Sequence, residues 1–300
     1  MNEITLIAAD SLRLDKFIAE NCPELTRTAA AGLIEAGNCR VNGAVSSKNH
    51  KLKAGDEIRL TIPDPVKTDI LPEEIPLEIV YEDNDLLVVN KPRGMVVHPA
   101  HGHSGGTLVN FLMHHCGDSL SGINGEIRPG IVHRIDKLTS GLLIAAKNDF
   151  SHTRLAAQLK DHSVKREYQA VVSGNVKENG TINAPIGRHK IKRKEMSVNG
   201  LNPRDAITHY EVINNYENAA HLRINLETGR THQIRVHMAY IGHAVLGDEV
   251  YGNGKPKWLG GQCLHAAKLG FIHPRTGEYM EFESALPDYF LKLIGQLREV

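Results

Sequence analysis

The segment Val132-His133-Arg134-Ile135-Asp136-Lys137-Leu138-Thr139-Ser140-Gly141-Leu142-Leu143 holds a polar loop between two apolar runs, Gly130-Ile131-Val132 and residues 142–146. Apolar runs of that length read as buried strands, so the charges between them sit at a sheet edge or in a cleft, where they must be paired or do chemistry. Asp136, with Arg134 and Lys137 beside it, has the chemistry of a nucleophile or a base. A solvated turn with no reaction to perform would carry the same residue types.

A second segment, Glu227-Thr228-Gly229-Arg230-Thr231-His232-Gln233-Ile234-Arg235-Val236-His237-Met238, predicts a helix start with Thr231 as its N-cap. Arg230 then lies beside a helix N-terminus, where the dipole disfavours a cation. A cation held there calls for an anion, either a carboxylate such as Asp136 or a phosphate. A plain surface arginine fits the same spacing. Lys165-Arg166-Glu167-Tyr168 places an aromatic at a strand opening after two cations, suited to a stacked base with its phosphates on the cations, although core strand tyrosines look alike. Arg188, Lys190, Lys192, Arg193 and Lys194 form the densest basic run, a phosphate-contacting loop or a solvated one.

Among 17 histidines, His98-x-x-His101-x-His103 is the tightest cluster, with His114-His115 nearby. Its glycines and Pro99 make it a loop, and neither a Cys nor a carboxylate pattern completes a metal site, so no metal is expected. Residues 102–107 are glycine-rich but lack the lysine of a phosphate-binding GxxxxGK loop.

The elements that must position these residues follow from periodicity. Leu14, Phe17 and Ile18 mark one face of a helix over 12–20, and a second helix runs from Thr26 through Leu33 and Ile34 to a stop at Gly37. Strands at 39–41 and 57–62, with turns at Asn42-Gly43 and Gly55-Asp56, complete a small αα-then-β unit. Residues 63–76 contain four prolines and acidic clusters, which reads as a stiff linker. The expected division is therefore 1–65, a linker over 66–80, and a large domain over 81–300. In the large domain, strands are expected at 77–80, 86–90, 130–132, 142–146, 168–173, 206–212, 219–226 and 268–272, and helices at 107–114, 151–160 and 232–240. Many strands with few helices predict the α+β class around a largely antiparallel sheet.

At 41% hydrophobic and 23% charged over 300 residues, the chain is neither disordered, collagenous nor a coiled coil. The balance of 35 basic and 35 acidic residues hides a polarity: net charge is −1 over 1–65, −6 over 66–90 and +7 over 91–300. The large domain can therefore hold a polyanion. Residues 94–117 lack Lys, Arg, Asp and Glu, but five His, five Gly and Pro99 exclude a membrane helix. Met1-Asn2-Glu3 opens no secretory signal, and Cys22, Cys39, Cys116 and Cys263 form no CxxC pair, so reduced thiols and a cytoplasmic location are expected. A monomer is expected as well, since no apolar helix stripe is left over.

Five motifs in order resemble the pseudouridine synthases that modify ribosomal and transfer RNA, specifically the class acting mainly on large-subunit ribosomal RNA. They are Asn90-Lys91-Pro92-Arg93-Gly94-Met95-Val96-Val97-His98-Pro99, Val132-His133-Arg134-Ile135-Asp136-Lys137 with Thr139-Ser140-Gly141-Leu142, Lys165-Arg166-Glu167-Tyr168, the stretch 227–237, and Gln262-Cys263-Leu264-His265-Ala266. The N-terminal unit is similar to the small RNA-binding domain named after a ribosomal small-subunit protein, which implies RNA docking by residues 12–63. Two departures stand out: Thr26-Arg27-Thr28-Ala29-Ala30-Ala31 where that module often has several basic residues, and Leu138 where the family frequently has an acidic one.

The resemblance implies that Asp136 is the essential carboxylate, attacking C1′ of the ribose or removing its 2′ proton, with Arg230 as the ion-pair partner that aims it. It implies that Tyr168 stacks on a flipped uracil, that Leu264 walls the other side, and that Arg134 fills the gap the base leaves. Lys91 and the 188–194 run would contact phosphates, and no cofactor is needed. Ribosomal RNA is favoured over transfer RNA as partner because of the N-terminal module. A catalytically inactive RNA-binding protein would need a broken catalytic set, whereas Asp136, Tyr168 and Arg230 are all present. A glycosidase-like hydrolase would need a second carboxylate, and the loop around Asp136 offers only cations.

Overall fold

Leu14, Phe17 and Ile18 are buried together, which is what turns the first apolar stripe into a helix. The computed structural model describes residues 2–22, 25, 27–62, 70–99, 105–122, 129–192 and 195–299. The chain divides into two compact units, Met1–Thr68 and Asp69–Val300. The first contains β1 (Asn2–Ile7), α1 (Leu14–Asn21), α2 (Arg27–Glu35), β2 (Cys39–Val41), β3 (Ala44–Val45) and β4 (Glu57–Ile62). Its four strands pair in the order β1-β4-β2-β3, and both helices pack on a core that includes Leu52, Ile58 and Leu60. The apolar lead before the first helix is thus an edge strand paired with β4. The expected cap Thr26 lies outside the described residues.

The second unit contains β5 (Glu78–Glu82), β6 (Leu86–Lys91), α3 (Leu108–Cys116), β7 (Ser140–Ala146), α4 (Asp149–Lys160), β8 (Lys165–Ser173), β9 (Gly180–Asn183), β10 (Ile186–Arg188), β11 (Met196–Val198), β12 (Leu201–Arg204), β13 (Ile207–Tyr216), β14 (Ala219–Leu226), α5 (Gln233–Tyr240), β15 (Leu264–Ile272), β16 (Tyr279–Glu283) and α6 (Asp288–Ile294). Among the described residues, a nine-stranded sheet runs β5-β6-β7-β15-β8-β14-β13-β9, with β16 on β15. Its pairs are antiparallel except β7 with β15, so the α+β class with a largely antiparallel mixed sheet stands. A separate three-stranded sheet, β11-β10-β12, carries the region of the basic run.

Alternation along the central strands sends side chains to two faces. Leu87, Val89, Leu143, Ala145, Ala170 and Val172 join Leu108, Leu112, Ile234 and Met238 of α3 and α5 in one core. Leu86, Val88, Leu142 and Ile144 join Leu155 of α4 in the other. Both faces are therefore covered, and β7 is buried along its whole length. Local chemistry starts the covering helices: Thr107 and Asn110 form a reciprocal capping box on α3, and Asn148 accepts the Ser151 N–H to cap α4.

Two expectations change. Residues 130–132 form no named strand, because Gly130 takes a φ of 73° and Ile131 makes one isolated bridge to Ala145. The stretch from residue 70 is packed on the second unit: Ile70 joins its core, Glu73 accepts the Gly106 N–H, and Asn110 donates to the Leu71 carbonyl. Of the expected linker over 66–80, residues 66–69 lie outside the described residues and β5 takes the end. Gly141, with φ 113°, lets β7 pass so close to β15 that a Cβ would overlap the Ala266 backbone. Among the described residues, no helix is long and apolar enough to cross a membrane.

The sheet also buries imidazoles. His221 pairs with Gln169 at 2.7 Å and His265 with Ser140 at 2.8 Å. Burial pushes both down to about 4, with the Arg223 charge adding to the effect at His221. The unfolded chain takes up these protons near 6.5 and the folded chain does not, so stability is complete above 6.5 and falls as pH drops toward 4. Urea unfolding should show a lower midpoint at about pH 5 than at about pH 7.5, and His265→Asn should narrow the difference.

Candidate active site

Asp136 lies in the irregular segment leading into β7, and its position is set by the backbone on both sides of it. Its carbonyl accepts the Thr139 N–H at 3.1 Å, and the next carbonyl, of Lys137, accepts the Gly94 N–H at 2.8 Å and Lys91 Nζ at 3.3 Å. Gln262 reaches across from the approach to β15 to hydrogen-bond Thr139. The carboxylate is 24% exposed and opens onto a cavity of about 770 Å³.

The cation facing Asp136 is Arg235, whose Nη1 donates to Asp136 Oδ2 at 2.9 Å. The same guanidinium forms a two-pronged pair with Asp248, Nε to Oδ2 at 2.7 Å and Nη2 to Oδ1 at 3.0 Å. Asp248 is fully buried and also accepts the Val250 and Tyr251 N–H groups. Burial pulls Arg235 down, but the hydrogen bonds and charges of Asp248 and Asp136 outweigh it and hold the guanidinium above its ordinary value. At Asp248 burial acts upward, and the paired Arg235 and backbone donors prevail, lowering it.

This corrects the expected partner of Asp136. Arg230 does not reach it: its Nε donates to the Asp205 carbonyl at 2.9 Å and its N–H goes to Gln233 Oε1. Thr231 is not the cap either, because His232 holds the N-cap position in a left-handed conformation and α5 begins at Gln233. Arg235 consequently sits in the first turn, where two carboxylates offset the unfavourable dipole. A positive charge near this helix start did call for an anion, but the residue was five positions further on. The available signal was an arginine between Ile234 and Val236 on a helix whose residues 233–238 are all buried.

Lys91 is also placed differently. It is 0% exposed, and its Nζ donates to the carbonyls of Pro92, Met95 and Lys137, so it is closed to phosphate. Burial lowers it to about 7 against the opposing attraction of Asp136. Lys165 turns away to pair with Glu281, while Arg166 lines the cavity and donates to the Glu227 carbonyl at 2.8 Å.

Tyr168 on β8 and Leu264 at the start of β15 are 7% and 4% exposed and line the same cavity as Asp136. Burial raises the Tyr168 phenol, with Arg166 opposing and Asp136 reinforcing. His133 accepts the Ile144 N–H through Nε2, and burial together with Arg166 pushes it down to about 3, so it serves as a neutral acceptor. Arg134 is exposed at the mouth, its Nη2 on Thr231 at 2.7 Å. Among the described residues lining the cavity, Asp136 is the one carboxylate, faced by Arg134, Lys160, Arg166, Arg230 and Arg235. A groove of about 900 Å³ continues from Arg134, Arg230 and Thr231 along β10 and β12, lined by Arg188, His189, Lys190 and Arg204. Arg193, Lys194, His101 and His103 lie outside the described residues. Among those described, Asp83, Asp85 and His273 have metal-ligand spacing, but Asp83 already holds His273 and Tyr81, and Asp85 holds Arg275.

One carboxylate aimed by a fixed arginine, an aromatic and an aliphatic wall, and a cationic rim suit a polyanion that inserts one flat ring. The family model for RNA pseudouridylate synthases matches residues 85–240, and that for the S4 domain matches residues 12–58. A ribosomal large subunit pseudouridine synthase D of Zymomonas mobilis is 48% identical, covering 92% of this chain and 90% of its own. The chain belongs to the RNA pseudouridylate synthase family. An uncharacterized RNA pseudouridine synthase of Bacillus subtilis is 51% identical over 100% of this chain and 99% of its own. The solved structure of human RNA pseudouridylate synthase domain containing 1 is 26% identical with a TM-score of 0.60, covering 80% of this chain and 92% of its own. The chain is thus an RNA pseudouridine synthase with an S4 domain at its N-terminus.

Asp248 generates a stability prediction. Asp248→Asn leaves the Arg235 charge buried with half its countercharge, a loss of roughly 3 kcal/mol. Urea unfolding of the variant beside the parent measures it; a change under about 1 kcal/mol would mean the buried pair carries little.

Proposed function

We propose that this synthase converts uridines of large-subunit ribosomal RNA to pseudouridine, with Asp136 as the reacting carboxylate. The substrate assignment is supported by the relatives from Zymomonas mobilis and Pseudomonas aeruginosa, at 48% and 43% identity, which are named ribosomal large subunit pseudouridine synthase D. Action on such RNA goes with a cytoplasmic location. The observation that carries the chemistry is Asp136, the single carboxylate among the described residues lining the cavity, held by Arg235 in a cavity that Tyr168 and Leu264 also line.

The reaction breaks the C1′–N1 bond, turns the uracil and joins C5 to C1′; N1 gains a proton and C5 loses one, so the product is an isomer. Neither water nor redox chemistry enters the balance. Asp136 either attacks C1′ or removes the 2′ proton. Tyr168 and Leu264 sandwich the flipped base, and Arg134, exposed at the mouth, takes the place it leaves, offsetting the few kcal/mol that unstacking costs. Arg230, at the junction of cavity and groove, is a phosphate contact in this reading, and the groove beside β10 takes the adjoining strand. The S4 domain adds a second hold on the RNA.

Pseudouridine mapping after incubation of the protein with unmodified large-subunit ribosomal RNA and bulk transfer RNA tests this. New pseudouridines are expected at a few positions of the ribosomal RNA, and none with Asp136→Asn. Modification of transfer RNA alone would refute the substrate, and an active Asp136→Asn would refute the carboxylate.

A further inference from the structure

His232 begins α5 with a φ of 57°, a left-handed conformation that is uncommon for a residue with a Cβ. A helix start is ordinarily satisfied by an extended Ser, Thr, Asp or Asn. Thr231 stands next to it and does not take that place, and His232 makes no capping hydrogen bond of its own. The conformation does aim the ring. His232 lines the cavity, with Nε2 4.0 Å from Asp136 Oδ1 and Nδ1 2.8 Å from the Tyr251 hydroxyl.

Tyr251 decides which nitrogen carries the proton. Its oxygen accepts the Met196 N–H at 2.8 Å and lies 2.8 Å from His232 Nδ1, the one other partner among the described residues to which its own O–H can be assigned. Nδ1 is then the acceptor, and the proton of the neutral ring sits on Nε2, on the side of Asp136. Burial lowers this imidazole against the pull of Asp136, with Arg235 lowering it, Asp248 raising it and Arg134 lowering it further. An N–H donor thus stands beside the reacting carboxylate at a distance too long to be spent on it.

Resting on the reading of Asp136 as the reacting carboxylate, we propose that His232 Nε2–H donates a hydrogen bond to uracil O2 of the bound uridine, in the tautomer set by Tyr251. When C1′–N1 breaks, its electron pair stays with the uracil and spreads onto O2 and O4. O2 lies next to the breaking bond, within reach of a donor that neighbours Asp136. The requirement is the same whether Asp136 attacks C1′ or removes the 2′ proton, since the departing uracil carries the charge in both. His232 transfers no proton; it stabilises charge that develops in the transition state.

Single-turnover pseudouridine formation on an RNA the protein modifies is the test, with RNA affinity and thermal unfolding measured on every variant. His232→Phe should slow the step on the order of 100-fold with little change in affinity, and His232→Gln, which keeps an N–H donor at similar reach, should recover about tenfold. Tyr251→Phe should fall between the parent and His232→Phe. Replacing the target by 2-thiouridine should slow the parent and add nothing to His232→Phe. Equal rates for parent and His232→Phe, with Asp136→Asn inactive, overturn the donor. So does a 2-thio effect that persists in His232→Phe, or an acid limb in the parent pH profile that His232→Gln abolishes, the mark of a base. If Asp136→Asn is itself active, the underlying reading has failed instead.

Discussion

The Asp136–Arg235–Asp248 chain of charges is the constraint around which the second unit is arranged. Arg235 is a guanidinium in the first turn of a buried helix, opposed by the helix dipole and by desolvation. Asp248 answers it with both oxygens and is in turn satisfied by two backbone N–H groups. Because those two prongs are fixed, the third guanidinium nitrogen is left pointing one way, at Asp136. A five-donor planar group divides its loyalties in this manner where an ammonium could not.

The sheet supplies the opposite half of the clamp. β7 begins four residues after Asp136 and is buried on both faces, and β15 passes it with the backbone clearance that a glycine at 141 permits. Lys91 ends β6 by tying three carbonyls together, one of them next to Asp136. Tyr168 and Leu264 come from adjacent strands β8 and β15, so the stretch of cavity wall they form is held as firmly as the sheet itself. Arg166 and Arg235 are buried in the cavity wall and further cations line the groove beyond it, so Asp136, the one carboxylate among the described lining residues, faces positive charge on several sides.

Much of this was legible in the residues. Continuous apolar runs and alternation found the long central strands, and helical spacing found α1, α3 and α5, because each buries an apolar face. The short strands β9 to β12 escaped because three or four residues show no period, and α6 because seven residues hardly complete two turns. Asp136, Tyr168 and Leu264 were found by their motifs and do share one cavity. Arg230 and Lys91 were misplaced for a common reason: a charge's address depends on which groups consume it, and for each of them one of those groups lies far away in sequence. Arg235 and Asp248 are 13 positions apart and Lys91 and Lys137 are 46 apart, distances over which no local pattern operates.

The central claim is that Arg235, and not Arg230, governs Asp136, the carboxylate proposed to react. Single-turnover pseudouridine formation tests it most directly, comparing Arg230→Gln with Arg235→Gln made together with Asp248→Asn, so that no buried charge is stranded. The account predicts a loss of at least about 100-fold in the chemical step for the Arg235 variant with RNA still bound, and for Arg230→Gln a weaker RNA affinity with a step close to the parent's. An Arg230→Gln protein that binds RNA normally but cannot react, beside an active Arg235 variant, would contradict it.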